Sequence, residues 1–284
     1  MKVKKQSGEL VDFDPKSLHR SLSRSGATKP EIEEVFSAVN NFLYSGISTR
    51  ELYQKAFDEL KKFRSSYAAR YSLKRALQEL GPEGHLFEEW IAKIFIEQGY
   101  QALTGITVQG AAVTHEIDVV AQKGEELIFC ECKFRNDLDA KISVTTPMYI
   151  LSRIKDVMNN EYEFFGREMK PTKGFLVTNA YLTTDSIDFA NHYGIGLISW
   201  NYPEGKNIKE IVDYSALYPL TCLTNLTKEQ EKQLMEKGTI LVKELVENPT
   251  VLDELRLDEN TKNNVLEEAR ELIDVECFRC ENPT

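Results

Sequence analysis

The apolar and polar positions in the middle of the chain alternate in a way that predicts a β-hairpin. Two runs rich in β-branched and aromatic residues, 115–121 and 127–134, flank a polar turn that contains glycine. Because successive side chains of a strand point to opposite faces, Glu131 and Lys133 are expected on one face. Asp118 lies on the neighbouring arm. The pattern therefore predicts two acids and a lysine at one edge of a sheet.

The first 82 residues follow a mainly helical pattern. Two short strand-like runs, 1–5 and 10–13, predict a hairpin at the start. Asp14 followed by Pro15 is typical of a helix start, and Gly81-Pro82 is typical of a helix end and a domain boundary. The apolar spacing between these signals predicts four helices, at 15–25, 30–44, 48–64 and 66–80.

The sequence beyond Trp200 is polar, with apolar residues at i, i+3 and i+4 spacing. This spacing predicts four or five short helices. Three domains are therefore expected, with boundaries at 1–82, 84–205 and 206–284.

The composition is that of an ordinary globular protein. The chain has 284 residues, of which 42% are hydrophobic and 10% aromatic, and this length allows two or three domains with their own cores. It has no run of 18 apolar residues and no signal-peptide pattern. We therefore expect a soluble, cytoplasmic protein without membrane contact.

The net charge of −10 argues against a protein that coats nucleic acid in general. The charge is uneven, with +4 in residues 1–83, −7 in 84–205 and −7 in 206–284. If the acidic middle segment binds DNA, divalent ions must offset the repulsion between like charges, and the positive N-terminal segment would help.

The cysteines suit a reducing compartment better than a disulfide framework. There are five of them, an odd number, and Cys130 and Cys132 are expected to point into the core of a strand. A C-x-x-C pair, Cys277 and Cys280, lies near the end of the chain. A zinc site there would need two more ligands, and no Cys or His pair offers them, so no zinc site is predicted.

Carboxylates beside an ammonium group are what metal-assisted phosphodiester cleavage requires. In a chain with 28% charged residues, an acid followed by E-x-K also arises by chance, so a solvated strand face is the alternative. Charges embedded in the apolar run I-F-C-E-C-K-F are costly unless they are used or paired. This context favours a functional site.

Four segments around these residues resemble a known family. They are GHLFEEWIAKIFIEQGY at 84–100, EID at 116–118, ECK at 131–133 and KGFLVTNAYLTTDSIDFANHYGIGLISW at 173–200. The segments resemble the PD-(D/E)xK nucleases, most closely their Mrr-like restriction endonuclease branch. The resemblance covers residues 84–200 and implies a restriction-endonuclease-like α/β core with a central mixed sheet.

The same resemblance implies a site for Mg²⁺ or Mn²⁺. The implied ligands are Asp118, Glu131, Glu88 and the backbone carbonyl of Cys132. Lys133 is implied to orient the attacking water and to stabilise charge on the phosphate, and Glu88 to complete the metal site or bind the water.

The chain departs from the family in two places. The aspartate follows Thr114-His115-Glu116 instead of a Gly-rich turn, so Glu116 competes with Asp118 as a ligand. The family often has a glutamine or another polar residue on the helix after E-x-K, and the region there, VTTPMYILSRIKDV, is unusual.

The N-terminal segment resembles a second family. The matching segments, in order, are VKKQSGELVDFDPKSLHRSL, GISTRELY and AARYSLKRAL. They resemble the ATP-cone, the nucleotide-binding regulatory domain of ribonucleotide reductases and of their transcriptional repressor. This implies ATP or dATP as an effector, with Val3, Lys5, Gln6 and Lys16 at the phosphates. Gln6 replaces the usual arginine, which removes one phosphate-binding fork, and a cone that has lost its nucleotide is the alternative.

The C-terminal helices resemble a helix-hairpin-helix module, such as the N-terminal domain of RecA-family recombinases. The place of the Gly-rich hairpin is taken by LRLDEN at 255–260, which has two acids and no glycine. Together with the −7 charge of this segment, this disfavours phosphate binding. We expect contact with another protein or packing on the nuclease domain.

The expected fold is therefore an α/β multidomain protein with a small helical cone, a nuclease-like core and a helical C-terminal module. The first functional hypothesis is a metal-dependent endodeoxyribonuclease that hydrolyses DNA and is regulated by an adenine nucleotide. The alternative is a non-catalytic, nucleotide-responsive DNA-binding regulator, against which the intact Asp118, Glu131 and Lys133 argue. A third is an assembly protein that uses its acidic C-terminal helices. Whether the protein forms a homo-oligomer is left open.

Overall fold

The computed structural model describes residues 1–5, 8–81 and 84–274. The α-helices are α1 Pro15–Ser23, α2 Lys29–Phe42, α3 Thr49–Phe63, α4 Ser65–Gln78, α5 His85–Glu97, α6 Thr145–Val157, α7 Thr184–His192, α8 Ile208–Ser215, α9 Lys228–Glu236, α10 Val242–Glu247 and α11 Glu259–Ile273. The strands are β1 Lys2–Lys4, β2 Leu10–Asp12, β3 Gln101–Gln109, β4 Thr114–Lys123, β5 Glu126–Cys132, β6 Lys141–Ile142, β7 Tyr162–Phe164, β8 Arg167–Met169, β9 Lys173–Val177, β10 Tyr181–Leu182 and β11 Gly196–Ile198.

The chain folds into two compact units. The first unit joins Met1–Ala76 to the chain from Tyr218 onward, and the second is Leu77–Leu217. The middle of the sequence is therefore inserted between two parts of one unit. Among the described residues, no helix has the length and apolar content needed to cross a bilayer.

The N-terminal part of the first unit matches the predicted elements. The β1–β2 hairpin pairs Val3 with Val11, and the side-chain oxygen of Asp14 caps α1 by accepting from the Lys16 amide at 3.0 Å. The four predicted helices agree with α1 to α4 to within two residues at each end. Their apolar faces meet in a buried core that includes Leu22, Val35, Val39, Ala56 and Leu60.

The C-terminal part of the first unit is helical, as predicted, and it packs against α4. The Arg70 guanidinium donates to the Glu271 carbonyl at 2.7 Å, and the Ser66 hydroxyl donates to the Glu271 carboxylate at 2.7 Å. The Thr221 hydroxyl donates to the carbonyl of Ala76, also at 2.7 Å. This contact between the N-terminal and C-terminal parts of the unit was not predicted from the sequence.

The second unit is built on a five-stranded sheet with the order β11-β9-β5-β4-β3. β3, β4 and β5 are antiparallel neighbours, whereas β5, β9 and β11 run parallel, which confirms the expected mixed sheet. The predicted hairpin is β4–β5, with Val119 opposite Cys130, and its turn is shorter than the polar run suggested.

The flanking elements of this unit also follow the expected order. The first helix, α5, contacts β3 and β4, and its buried Trp90 donates from the indole N–H to the Leu217 carbonyl at 3.0 Å. The strand–helix–strand unit expected in 173–200 is present as β9, α7 and β11. The small β7–β8 hairpin and the parallel β6–β10 pair were not predicted.

The helix α6 packs closely on β9, which fixes its position relative to the sheet. A Cβ atom at Gly174 would overlap the Cγ1 and Cδ1 atoms of Ile154 on this helix. Gly174 is therefore the residue that lets α6 approach the strand.

We expect Gly174→Ala to destabilise the protein by about 1–3 kcal/mol, because the added methyl group overpacks the α6–β9 contact. Thermal unfolding followed by circular dichroism measures this change. Ile154→Val in the same background should recover part of the lost stability, and a Gly174→Ala variant as stable as the wild type would contradict the tight packing.

Candidate active site

Two acids meet where the β4–β5 ladder ends. Val119 and Cys130 are the last residue pair of that ladder, and Asp118 and Glu131 each lie one position beyond it. The carboxylate of Asp118 reaches across to β5 and accepts from the Cys132 amide at 2.6 Å. The hairpin therefore brings the two predicted acids together, as the alternation of side chains implied.

The Glu131 carboxylate is buried between two cations. Only 8% of the residue is exposed, although a carboxylate is strongly hydrated in water. The Lys133 ammonium donates to Oε1, and the Arg153 guanidinium donates to Oε2 at 2.5 Å. These two pairings compensate the cost of taking the carboxylate out of water.

Arg153 connects three elements of this site. It lies on α6, pairs with Glu131 of β5 through one guanidinium nitrogen, and donates through the other to the backbone carbonyl of Glu116 on β4. The planar guanidinium holds its donors in a fixed fork, so one side chain can contact the Glu131 carboxylate and the Glu116 carbonyl at once.

Arg153 was not predicted from the sequence, although a signal was present. Ile150 and Val157 form part of the buried face of α6, and Arg153 lies three residues after the first and four before the second. A charged residue on the apolar face of a helix is unusual and requires a buried partner.

Glu88 approaches the site from the first turn of α5. It lines a cleft of about 210 Å³, together with Lys133 and Arg135. Burial raises the pKa of Glu88 to about 7, and the nearby negative charges of Asp118 and other acids act in the same direction. The structure thus brings Glu88 into the electrostatic field of the acid pair.

The pKa of Asp118 is also raised, and burial is again the main cause. Burial raises its pKa to about 6, with a further contribution from the negative charge of Glu131. The Cys132 amide and the positive charges of Lys133 and Arg153 oppose this shift only in part. The site therefore has an excess of poorly solvated negative charge, which an added cation would stabilise.

The donor set fits Mg²⁺ or Mn²⁺. No group of three His, Cys, Asp or Glu side chains in the described ranges is arranged to hold a metal ion. Mg²⁺ sites do not require such a group, because this ion usually keeps several waters and takes one or two carboxylates and phosphate oxygens. Asp118 and Glu131 supply two carboxylates in a place that needs positive charge.

Glu116, the residue that competes with Asp118 as a ligand, is exposed, whereas Asp118 is partly buried. Its contact with the site is through the backbone carbonyl that accepts from Arg153. Its carboxylate contributes to raising the pKa of Glu88, so it lies near the cluster. Asp118 is the acid of this strand that contacts the end of β5.

The candidate nucleotide-binding residues lie at the start of the first unit. The Val3 side chain is buried in the core, so only its backbone is available to a ligand. The Lys5 ammonium pairs with Glu9 at 3.0 Å, and Lys16 is exposed in the first turn of α1. Gln6 lies outside the described residues.

The cysteines agree with the expectation for the core strand. Cys130 and Cys132 are buried free thiols, and burial raises the pKa of both. The pair Cys277 and Cys280 lies outside the described residues.

Three family models match the chain in succession. Residues 1–80 match the ATP cone domain, residues 81–202 match a restriction endonuclease model of the Mrr type, and residues 218–273 match the model described as AF1548-like, C-terminal. The last match describes the helical module, for which the helix-hairpin-helix likeness stays a prediction.

A relative and a solved structure extend the comparison. An uncharacterized protein of Archaeoglobus fulgidus is 29% identical over 184 residues, which are 64% of this chain and 99% of the relative. The crystal structure of the protein of unknown function AF1548 is 29% identical in sequence and has a TM-score of 0.53. The match covers 69% of this chain and 98% of the chain in that structure. The chain thus contains an ATP cone domain, an Mrr-like restriction endonuclease domain and an AF1548-like C-terminal domain, in that order.

Proposed function

We propose that this protein is a metal-dependent endodeoxyribonuclease whose activity responds to an adenine nucleotide. The observation that carries the proposal is the meeting of Asp118, Glu131 and Lys133 at the end of one hairpin, beside a cleft. The match of this domain to a restriction endonuclease model supports the same reaction class.

Asp118 and Glu131 would hold Mg²⁺ or Mn²⁺, with the Cys132 carbonyl as a further ligand. A bound divalent ion would polarise a phosphate oxygen of DNA and lower the pKa of a bound water. The two carboxylates would fix where that chemistry takes place, because the Cys132 amide of β5 holds Asp118 and the Arg153 guanidinium of α6 holds Glu131.

Lys133 would stabilise the negative charge that develops on the phosphate during cleavage. Lys133 lines the cleft, and its ammonium donates to the Glu131 carboxylate, which holds it in place. A cation that is already in position stabilises the transition state more than one that must first be brought into position, because no reorganisation is needed during the reaction.

Glu88 would bind the attacking water or complete the metal site. Its pKa of about 7 suits a group that accepts a proton near neutral pH. Both roles require the carboxylate to face the cleft, which it lines.

DNA is the proposed substrate in spite of the −7 charge of this segment. The cleft offers Lys133 and Arg135 to the phosphates, and a divalent ion at the acid pair would remove much of the local repulsion. Binding should therefore depend more on divalent ions than it does for a basic DNA-binding protein.

The ATP cone domain is proposed to bind ATP or dATP and to alter the rate of cleavage. Lys5 and Lys16 are the candidates for the phosphates, in the part of the chain that carries positive charge. Regulation requires that the nucleotide bind two states of the protein with different affinity.

The first prediction concerns the acid and the lysine of the E-x-K motif. Glu131→Gln and Lys133→Met should each lower cleavage of plasmid and linear DNA in Mg²⁺ or Mn²⁺ by roughly a hundredfold or more, since each removes a group that meets the reacting phosphate or its metal. Gel electrophoresis of the products, with an EDTA control, measures the rate.

Lys173→Ala is the matched control. Lys173 pairs with Glu126 at the opposite end of β5 and β9, so its loss removes an ion pair of the same sheet without touching the site. The proposal fails if the wild type binds DNA and does not cut it, a result that supports the non-catalytic regulator instead.

The second prediction concerns the folding stability that the protein loses by burying the charged Asp118 carboxylate. The raised pKa of Asp118 means that the folded protein disfavours its ionised form, so that form reduces stability at neutral pH. Asp118→Asn retains an oxygen for the Cys132 amide and removes the charge. We expect this variant to be more stable than the wild type by roughly 1–3 kcal/mol in EDTA while its cleavage is lost.

Differential scanning calorimetry at pH 7.5 in EDTA measures the stability. The difference between the two proteins should become smaller as the pH falls through about 6, because the wild-type carboxyl group then takes up a proton. An Asp118→Asn variant that is less stable than the wild type throughout this range would contradict the electrostatic description of the site.

The third prediction concerns the nucleotide. ATP or dATP should raise the melting temperature by an amount that grows with ligand concentration, and the Lys5→Ala, Lys16→Ala double variant should lose the shift. Lys62→Ala, which removes an exposed lysine of α3, is the control. The absence of both a shift and calorimetric heat at millimolar ligand would leave the nuclease proposal intact and refute nucleotide regulation.

A further inference from the structure

The wall of the cleft continues beyond the end of β5. This strand ends at Cys132, yet the chain stays beside β9, because the Lys133 amide donates to the Val177 carbonyl at 2.8 Å. Lys133 and Arg135 both line the cleft. Something other than a regular strand ladder must therefore fix the residues that carry these two cations.

Two side chains after β9 supply the missing bonds. The Thr178 hydroxyl donates to the Lys133 carbonyl at 2.5 Å. The Asn179 amide accepts from the Arg135 N–H at 2.8 Å through Oδ1 and donates to the Arg135 carbonyl at 2.8 Å through Nδ2. Asn179 thus contacts Arg135 as the backbone of a paired strand would. We refer to Thr178 and Asn179 as the latch.

The latch is shielded from water. Thr178 is fully buried and Asn179 is 5% exposed. Buried hydrogen bonds are not weakened by competition with solvent, and breaking one leaves an unsatisfied polar group. The bonds to residues 133 and 135 are therefore expected to persist as the native protein fluctuates.

The latch is itself anchored to the sheet. The Thr178 amide donates to the Ile198 carbonyl at 2.9 Å, and the Thr178 hydroxyl also accepts from the Ala180 amide at 3.1 Å. The Trp200 amide donates to the Ala180 carbonyl at 3.0 Å. The end of β11 thus holds the latch, and the latch holds the segment 133–135.

We propose that Thr178 and Asn179 are positioning residues that fix Lys133 and Arg135 in the cleft. The effect on cleavage rests on the function proposed above, in which Lys133 acts on the phosphate. Loss of the latch would free three residues at the end of β5, and displacements of about 1 Å can cost roughly a hundredfold in rate. The rate constant kcat should fall more than KM rises, because the cations remain available to bind DNA.

Amide hydrogen exchange tests the latch directly and without reference to activity. In Asn179→Ala and Thr178→Val, exchange in the segment 133–136 should be at least roughly tenfold faster than in the wild type, while the rest of β5 keeps its protection. Thr178→Ser, which keeps the hydroxyl group, should exchange like the wild type. If Asn179→Ala fails to fold, Asn179→Leu replaces it, since Leu fills the same buried space and removes both the acceptor for the Arg135 N–H and the donor to the Arg135 carbonyl.

Thr172→Val is a matched control at the other end of the same strand pair. The Thr172 hydroxyl accepts from the Leu127 amide at 3.1 Å and donates to the Leu127 carbonyl at 3.0 Å, an arrangement like that of the latch. Its loss should speed exchange near Leu127, leave the segment 133–136 unchanged, and leave cleavage at the wild-type rate.

Cleavage by the same variants separates the two proposals. We expect Asn179→Ala and Thr178→Val to lower kcat about tenfold or more. Thr178→Ser, which keeps the hydroxyl group, should have the wild-type kcat. Wild-type exchange in the segment 133–136 of Asn179→Ala would overturn the latch, and faster exchange with unchanged kcat would overturn its positioning role. If the wild type does not cut DNA, the proposed function fails, and the exchange data alone then decide whether the latch fixes the cleft.

Discussion

The burial of the Glu131 carboxylate is the constraint on which the second unit depends. A carboxylate at this depth persists only because Lys133 and Arg153 each pair with one of its oxygens. Lys133 comes from the same strand, so its position follows from the hairpin. Arg153 comes from α6, which must lie close to the sheet, and the absence of a side chain at Gly174 permits that approach. The burial of the Glu131 carboxylate therefore depends on the packing of α6 against the sheet, because that packing brings Arg153 to the carboxylate.

This arrangement stabilises the structure in one place and destabilises it in another. The two cations compensate Glu131, but Asp118 and Glu88 keep raised pKa values, so the folded protein carries desolvated negative charge that it does not fully balance. Natural proteins retain such a cost mainly where a ligand or a reaction uses it. A divalent cation would supply the missing charge, and DNA would then approach a site that is less negative than the sequence suggests.

The sequence predicted the elements well because their signals are local. The hairpin follows from alternation and a Gly-containing turn, and the cone helices follow from caps and apolar spacing. It could not show which distant groups would complete the site. Arg153 is 22 positions from its partner Glu131, and the amide of Asn179 is 44 positions from Arg135. The packing of the C-terminal helices on α4 was missed for the same reason, since no local pattern records which surfaces meet.

The measurement that tests the central claim most directly is the binding of Mn²⁺, followed by electron paramagnetic resonance of the free ion, to the wild type and to Asp118→Asn in the absence of DNA. We expect a Mn²⁺ site in the wild type for which Mg²⁺ competes. Asp118→Asn should weaken Mn²⁺ binding by roughly tenfold or more, because one of the two carboxylate ligands is gone. Equal Mn²⁺ binding by the two proteins would contradict the claim that the buried acid pair at the end of β4 and β5 is a divalent-metal site.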